Sequence, residues 1–525
     1  MNKMIESAIQ RAFVPCCRVI SEAKCNDSAI LVGNEVLANF TISRFPECTI
    51  GTGGHLLLDF GRELSGGIRL ISGRMAPARV RLRFGESIAE ACGEPNMDHA
   101  IHDVVLPLNL YSSNDFGNTG FRYVRLDVLE GEVKLVNAIA VSSMRKLEQI
   151  GRFDSSDKRL NAIFNASVHT AHLCIQDYIL DGVKRDRLIW GGDLHPTIRS
   201  ILPIFGAIDA LDATLEQICF NTAKGCFANN HTSYSMWLLM AIHDWYLHSG
   251  QGCILEKYRP FILDVTERYL AMVKDDGQLD LPGYLFLDWL SHDDTSGTLA
   301  GLYGLFVLAM KASEKLYQAM QLDTARIEQA WRKVVLAAPT PGANKSAAAM
   351  LHLAGAADYR KLLQKDKFSG ISTFIGGYIL QCLEHGSALK LVKRYWGGML
   401  DMGATTFWED FDLSWLKDNP TRIDEMPVPG RPNIHADFGR FCYKGLRHSL
   451  CHGWSTGPLP WCLHSILGVT VLEPGCRRIR FAPDLCGFEY AQGAIAAPQG
   501  RIVVKLQAGC TPEISVPNGI EVEQG

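Results

Sequence analysis

Residues 78–84 alternate apolar and basic side chains (Ala, Arg, Val, Arg, Leu, Arg, Phe), the two-residue period of a half-buried strand. Similar short runs at 55–60, 67–71, 121–129 and 133–141 are separated by Gly-rich and Asn-rich turns, with no helical pattern between them. This spacing predicts an antiparallel β-sandwich over residues 1–150. The period changes near Asp154. Ser155, Ser156 and Asp157 offer N-cap oxygens, and Leu160, Ile163, Phe164, Val168, Ala171, Ile175 and Tyr178 follow at helical spacing. Helical periodicity then dominates to about Leu467, most clearly at 197–208, 234–248, 299–320, 325–337 and 388–400. At ordinary lengths this region holds roughly a dozen helices. A ring of helical hairpins, with its loops converging on one face, is an economical arrangement for them. The tail returns to strands at 479–481, 501–506 and 514–516. Asn518-Gly519, between 514–516 and 520–522, predicts a hairpin that Pro517 trims. The expected organisation is therefore a β unit at 1–150, a helical unit at 151–467 and a small β unit at 468–525.

Composition narrows the classes of function. At 525 residues the chain has length for roughly three or four domains. With 47% hydrophobic and 21% charged residues it is ordinary globular protein. A net charge of −4 gives no bulk electrostatic reason to hold nucleic acid or an anionic membrane. The longest nearly apolar run, 299–310, has 12 residues, against the about 20 that span a bilayer. The first twenty residues contain no apolar core of a signal peptide. The 16 cysteines are scattered from Cys16 to Cys510 without a Cys-x-x-Cys, a pattern of buried free thiols. These features point to a cytoplasmic protein that binds neither nucleic acid nor membrane, and base rates favour a homodimer.

The chemistry concentrates in four short segments. The first is Asp181-Gly-Val-Lys-Arg-Asp-Arg-Leu-Ile-Trp-Gly-Gly-Asp193, between two helices, the second of which Asp193 is expected to cap. It holds Arg185, Asp186 and Trp190 beside a Gly-Gly pair that lets backbone approach a ligand. A salt-bridged loop would explain the charges, but not the flat aromatic. The others are Gly403-Ala-Thr-Thr-Phe-Trp408-Glu409-Asp-Phe-Asp412, Phe286-Leu-Asp288-Trp289 and Ser449-Leu-Cys-His452-Gly-Trp454. Tryptophan beside carboxylates suits a sugar: the ring's apolar face stacks, and its hydroxyls bind charged acceptors. Glycoside hydrolysis needs two carboxyl groups, one protonated and one ionised. Spacing alone does not choose the pair.

Asp181-x3-Arg185-Asp186-Arg187-x2-Trp190-x2-Asp193, the Gly-Ala-Thr-Thr-x-Trp-Glu run ending at Glu409, and Ser-Leu-Cys-His452-Gly-Trp454 resemble the α-L-rhamnosidase family of glycoside hydrolases, family 78, in its compact bacterial form. The resemblance runs from about Leu56 to Lys505. It implies a multidomain α+β fold, with a central (α/α)6 toroid of helical hairpins flanked by amino-terminal and carboxy-terminal antiparallel β-sandwiches. It also implies an inverting hydrolase that removes terminal non-reducing α-L-rhamnose from small glycosides. Asp186 falls at the general acid and Glu409 at the general base that activates water, with a separation of roughly 6.5–9.5 Å expected for inversion. Asp181, Arg185, Trp190 and Asp193 fall at positions that bind the sugar or order the acid. Asp288, Trp289, Trp408, His452 and Trp454 are further pocket positions. Two departures stand out: many members carry Glu at the acid position, and Gly in place of Ile189. A short β region implies that extra carbohydrate-binding domains are lacking. Neither cofactor nor metal is expected.

Rival motifs are weaker. Gly453-Trp-Ser-Thr-Gly457 has the nucleophile-elbow pattern, but only His464 and Asp484 follow it, in reversed order. The segment instead reads as a loop leading into a helix that starts near Pro458 and Pro460. There is no His-Glu-x-x-His, calcium loop or phosphate loop. His231, His243 and His248 read as core or surface histidines. The remaining alternatives are a glycosidase of the same architecture acting on another sugar, and a non-catalytic sugar-binding protein.

Overall fold

The alternating run at 78–84 is a strand whose faces divide as the pattern requires. Val80, Leu82 and Phe84 are buried, while Arg81 reaches Asp103 across the sheet through Nε at 2.8 Å. The computed structural model describes residues 7–36, 45–94 and 103–525, so part of the predicted first unit lies outside the described residues. Its strands are β1 (Ile9–Val14), β2 (Arg18–Asn26), β3 (Cys48–Ser72), β4 (Ala78–Gly85), β5 (Asp103–Leu108), β6 (Ser113–Glu130) and β7 (Val133–Arg145). They join in the order β1–β7–β3–β6–β4–β5, with β2 also on β3. Two departures from expectation share one cause. The runs at 55–60 and 67–71 belong to the single strand β3, whose register shifts between Asp59 and Leu64. This long strand pairs with β7 in parallel, so the unit is not purely antiparallel. At Gly66, with φ +143°, a Cβ would lie 2.0 Å from the Val141 carbonyl, which is why the crossing needs glycine. The unit has its own core, including Leu58, Phe60, Leu82 and Phe121, and carries one short helix, α1 (Ile88–Cys92).

Helices then follow in series: α2 (Lys158–Cys174), α3 (Gly191–Phe205), α4 (Asp209–Asn221), α5 (Thr232–Ser249), α6 (Gly252–Ala271), α7 (Thr295–Ala319), α8 (Ala325–Ala337), α9 (Lys345–Ala354), α10 (Arg360–Gln364), α11 (Thr373–Cys382), α12 (His385–Asp401) and α13 (Pro458–Trp461). Caps start several of them. Asp157 accepts from the Leu160 N–H at 3.0 Å and Asp294 from the Gly297 N–H at 2.9 Å. Alternate helices pack together: α3 on α5, α5 on α7, α7 on α9, α9 on α11, with α11 and α13 returning to α3. Behind them α4 packs on α6, α6 on α8, and α2 on α12. The segments entering α3, α5, α7, α11 and α13 are the ones that build the site described below.

The last strands are β8 (Arg152–Ser155), β9 (Val469–Val471), β10 (Arg478–Phe481), β11 (Tyr490–Ala497), β12 (Gly500–Gln507), β13 (Glu513–Ser515) and β14 (Glu521–Gln524). They form a sheet β13–β12–β11–β8 and a second sheet β14–β10–β9. The hairpin expected at Asn518-Gly519 does not form. β13 pairs with β12, whereas β14 pairs in parallel with β10, so the turn carries the chain from one sheet to the other. Ile479, Phe481, Ile495 and Val504 share one continuous core with the helices. The cysteines follow the sequence reading in part: Cys48, Cys219, Cys382 and Cys462 among others are buried free thiols, whereas Cys17, Cys226, Cys253 and Cys510 are exposed. Among the described residues no helix is long and apolar enough to cross a membrane. The molecule is thus a multidomain α+β protein with thirteen α-helices among the described residues.

Candidate active site

The Asp181–Asp193 loop folds back on itself because Asp181 ties both its ends. Its Oδ1 accepts the Leu188 N–H at 2.9 Å, its own N–H donates to the Leu188 carbonyl at 3.1 Å, and its carbonyl accepts from Gly453 at 2.9 Å. Arg187 adopts a left-handed backbone (φ 55°) and donates to the Asn118 carbonyl of the β unit. The chain then enters α3 at Gly191. Here an expectation is corrected: Asp193 is the third residue of α3 and does not cap it. The Gly191 N–H is instead held by Asn229 Oδ1 at 2.8 Å, a cap from a distant loop. Gly192 passes so close to Tyr234 that a Cβ would sit 2.6 Å from its ring.

This fold brings the acidic loop against Glu409. Arg185, 3% exposed, bridges the two carboxyl groups: Nη1 donates to Asp186 Oδ1 at 3.1 Å and Nη2 donates to Glu409 Oε1. Its guanidinium also lies 5.6 Å from the Tyr443 ring centre. Glu409 is held on every side. The Ser449 N–H donates to Oε2 at 3.1 Å, and the Glu409 N–H donates to the Ser449 carbonyl at 2.9 Å. Its own carbonyl accepts from Thr373 Oγ1 at 2.5 Å and Trp454 Nε1 at 3.0 Å. Asp186 is more exposed, with 22% of its side chain open to solvent against 5% for Glu409.

These groups line a cavity of about 260 Å³. Asp181, Arg185, Asp186, Trp190, Asp193, Trp289, Glu409, His452 and Trp454, nine of the eleven residues named from sequence, all border it. Burial, aided by the Asp186 charge, holds the Asp181 carboxyl well above the usual range. Burial, with Asp181 and Glu409 next, does the same at Asp193. Burial thus favours the protonated form of both carboxyls, in which a carboxyl can donate as well as accept a hydrogen bond. His452 Nε2 lies 3.7 Å from Asp193 Oδ2 and 3.7 Å from Glu409 Oε1, and burial keeps the ring neutral. The site therefore offers several carboxyl groups in unlike surroundings and a wall of aromatic faces.

Two of the named residues do not border the main cavity. Trp408 is fully buried, edge-on to Phe411 and His448, and borders neither this cavity nor its neighbour. Asp288 borders the smaller adjoining cavity with Trp289, Asp410 and Phe441. Its carboxylate already accepts from the Ser291 N–H at 2.9 Å and from the hydroxyls of Ser291, Ser346 (2.7 Å) and Ser372 (2.8 Å). Asp288 thus fastens the segment before α7 to α9 and α11.

The site also contains residues the sequence reading passed over. His231, read as core or surface, borders the main cavity with its ring 4.8 Å from that of Tyr234. His243 and His248 lie elsewhere, on Asp244 and Cys476. Tyr234, Tyr284, Tyr443 and Arg447 complete the wall. Tyr284-x-Phe286-x2-Trp289 is an aromatic cluster readable from sequence, whereas Tyr443 and Arg447 come from a long irregular loop without periodic signal.

The chain is similar to known proteins in one segment of its sequence and in its fold. Residues 148–302 match the family described as bacterial alpha-L-rhamnosidase 6 hairpin glycosidase domain. Among curated proteins no sequence matches. Among solved structures, the family 78 rhamnosidase of Bacillus sp. GL1 superposes with TM-score 0.72 at 21% identity, over 93% of this chain and 54% of that one. A rhamnosidase from Klebsiella oxytoca with rhamnose bound gives TM-score 0.66 at 21% identity, over 87% of this chain and 96% of that one. The α-L-rhamnosidase of Streptomyces avermitilis complexed with L-rhamnose gives 0.71 at 17% identity, over 90% and 48%. This chain therefore spans about half the length of the Bacillus and Streptomyces proteins and nearly all of the Klebsiella one. Residues 148–302 thus match a rhamnosidase domain, and the chain shares its fold with the family 78 α-L-rhamnosidases of known structure.

Proposed function

We propose that this protein is an inverting α-L-rhamnosidase that removes terminal non-reducing rhamnose from small glycosides. The observation that carries the reading is the Arg185 bridge, which sets Asp186 and Glu409 on one cavity walled by Trp190, Trp289 and Trp454. Asp186, the more exposed carboxyl, is the general acid at the mouth, where the leaving group departs. Glu409 is the general base, its Oε2 fixed by Ser449 so that the carboxylate faces a water on the far side of the sugar. Inversion requires the two carboxyls to stand roughly 6.5–9.5 Å apart with that water between them. Asp181 and Asp193 bind sugar hydroxyls, and the tryptophans stack on the ring. The closed packing order of α3, α5, α7, α9, α11 and α13 supports a six-hairpin toroid as the frame, between β units at 1–150 and 468–525. Buried free thiols support a reducing, cytoplasmic setting, where only small, already imported rhamnosides reach the enzyme.

The test is hydrolysis of an aryl α-L-rhamnopyranoside beside the matching α-L-fucoside, β-D-glucuronide and β-D-glucoside. Turnover of the rhamnoside alone, with β-rhamnose as the first product by NMR, is expected. Asp186→Asn and Glu409→Gln should each lower kcat about 10²-fold or more. Turnover of another sugar instead would keep the mechanism and overturn the substrate. Near-full activity in either variant would overturn the assigned roles. Binding without turnover of any rhamnoside, including rhamnose disaccharides, would mark a sugar-binding protein.

A further inference from the structure

The amino-terminal β unit touches the catalytic wall through a buried charge cluster that hydrolysis itself does not use. Glu86 follows β4, and Ser87 caps α1 by accepting the Glu90 N–H at 3.1 Å. Glu86 is 1% and Glu90 0% exposed. Between them lies Lys184, also buried and one residue ahead of Arg185. Its ammonium donates to Glu90 Oε1 at 2.9 Å and to the carbonyls of Leu446 (2.8 Å) and His448 (2.7 Å), and stands 3.2 Å from Glu86 Oε2. Glu86 in turn accepts the Leu450 N–H at Oε2 (2.6 Å) and the Ser449 hydroxyl at Oε1 (3.3 Å). The next bond along this path runs from the Ser449 N–H to Glu409 Oε2 at 3.1 Å.

Fastening α1 to the helical unit needs none of this, because apolar contacts do that without desolvating carboxylates. What the charges achieve is placement. Glu86 holds the hydroxyl of Ser449, the residue whose N–H reaches Glu409, and the N–H of the next residue, Leu450, while Lys184 anchors the acid loop to the same carboxylates. A metal ion is the other explanation for the cluster, since Glu86, Glu90 and His435 offer ligand atoms within 4.8 Å of one another. However, His435 is already engaged, with Nδ1 to Ser87 Oγ (2.7 Å) and Nε2 to the His448 carbonyl (2.8 Å). The Lys184 ammonium supplies the balancing positive charge.

We propose that Glu86 is a positioning residue for Glu409, acting through Ser449 and Leu450, so that the β unit and the helical unit assemble one active site between them. This rests on the rhamnosidase reading for its kinetic consequence, though not for the contact itself. In Glu86→Gln only one oxygen remains for the three donors Leu450, Ser449 and Lys184. Its kcat for the aryl rhamnoside is expected to fall about tenfold or more, with KM within about twofold and the melting temperature nearly unchanged. Amide hydrogen exchange in a peptide covering 446–452 should be at least tenfold faster, and that readout needs no substrate. A folded variant with wild-type kcat and wild-type exchange overturns the proposal, as does lost kcat with unchanged exchange. If Glu86→Gln does not fold, Glu86→Asp keeps the charge for Lys184 while withdrawing the oxygens from Leu450, and the same two outcomes decide. Wild-type silence on rhamnosides would defeat the activity reading, and the exchange measurement would still judge the contact.

Discussion

Trp190 and Trp408, the tryptophans nearest the proposed acid and base in sequence, end in opposite surroundings. Trp190 borders the cavity, edge-on to Tyr234 with ring centres 6.0 Å apart, and keeps part of its surface open. Trp408 is fully enclosed. Sugar stacking and core filling therefore separate cleanly under substitution. Trp190→Ala should raise KM about tenfold or more and cost less stability than emptying the Trp408 site, because the ring is only partly buried against the core. Trp408→Ala should cost about 3–5 kcal/mol of stability, the usual result of emptying a large buried aromatic site. Steady-state kinetics and urea unfolding on both variants check the pair. Equal KM effects would mean that Trp190 does not meet the sugar.

At the scale of elements, local signals were legible and remote ones were not. The helix expected at 325–337 is α8 to the residue, because its amphipathic pattern and its ends are written in its own sequence. The helix expected at 197–208 instead begins six residues earlier, at Gly191, because its first N–H is capped by Asn229 from the loop before α5. No local pattern encodes that partner. The Asn518-Gly519 turn failed for the same reason, since its strands find partners in different sheets. The site divides likewise: nine residues were named through compact motifs, while Tyr443 and Arg447 arrive through tertiary folding. The Asn229 cap is itself testable. Asn229 sits at φ 51°, donates to the Ile189 carbonyl at 3.2 Å and caps α3. Asn229→Ala should lose about 1–2 kcal/mol, and Asn229→Gly somewhat less because glycine tolerates the left-handed backbone. Both should raise KM, since α3 carries Asp193. Thermal unfolding and kinetics together check this, and a stability loss with unchanged KM would separate the cap from the site.

For the whole molecule, burial has shifted two sets of groups whose effects on stability oppose each other. Burial raises Glu86 from its ordinary 4.5 and Asp410 from 3.8, each to about 7. The folded chain therefore holds more protons than the unfolded chain between roughly pH 4 and 7. The contribution of these carboxyls is complete below their unfolded values and is lost as the pH rises through about 7. Burial lowers His169 and His248 from 6.5 to about 4. Here the unfolded chain holds more protons, so their contribution is complete above about pH 6.5 and is lost as the pH falls toward 4. Each set thus erodes stability in the window where the other restores it, and removing one member should tilt the profile in a known direction. The melting temperature of Asp410→Asn relative to wild type should climb as the pH goes from 5 to 8, since the variant has no buried carboxyl to ionise. His248→Gln, remote from the cavity and packed on Cys476, should shrink the loss of melting temperature between pH 7 and pH 5. Calorimetry at four pH values reads both slopes. Curves that stay parallel to wild type would show that these buried groups keep their ordinary protonation in the folded chain.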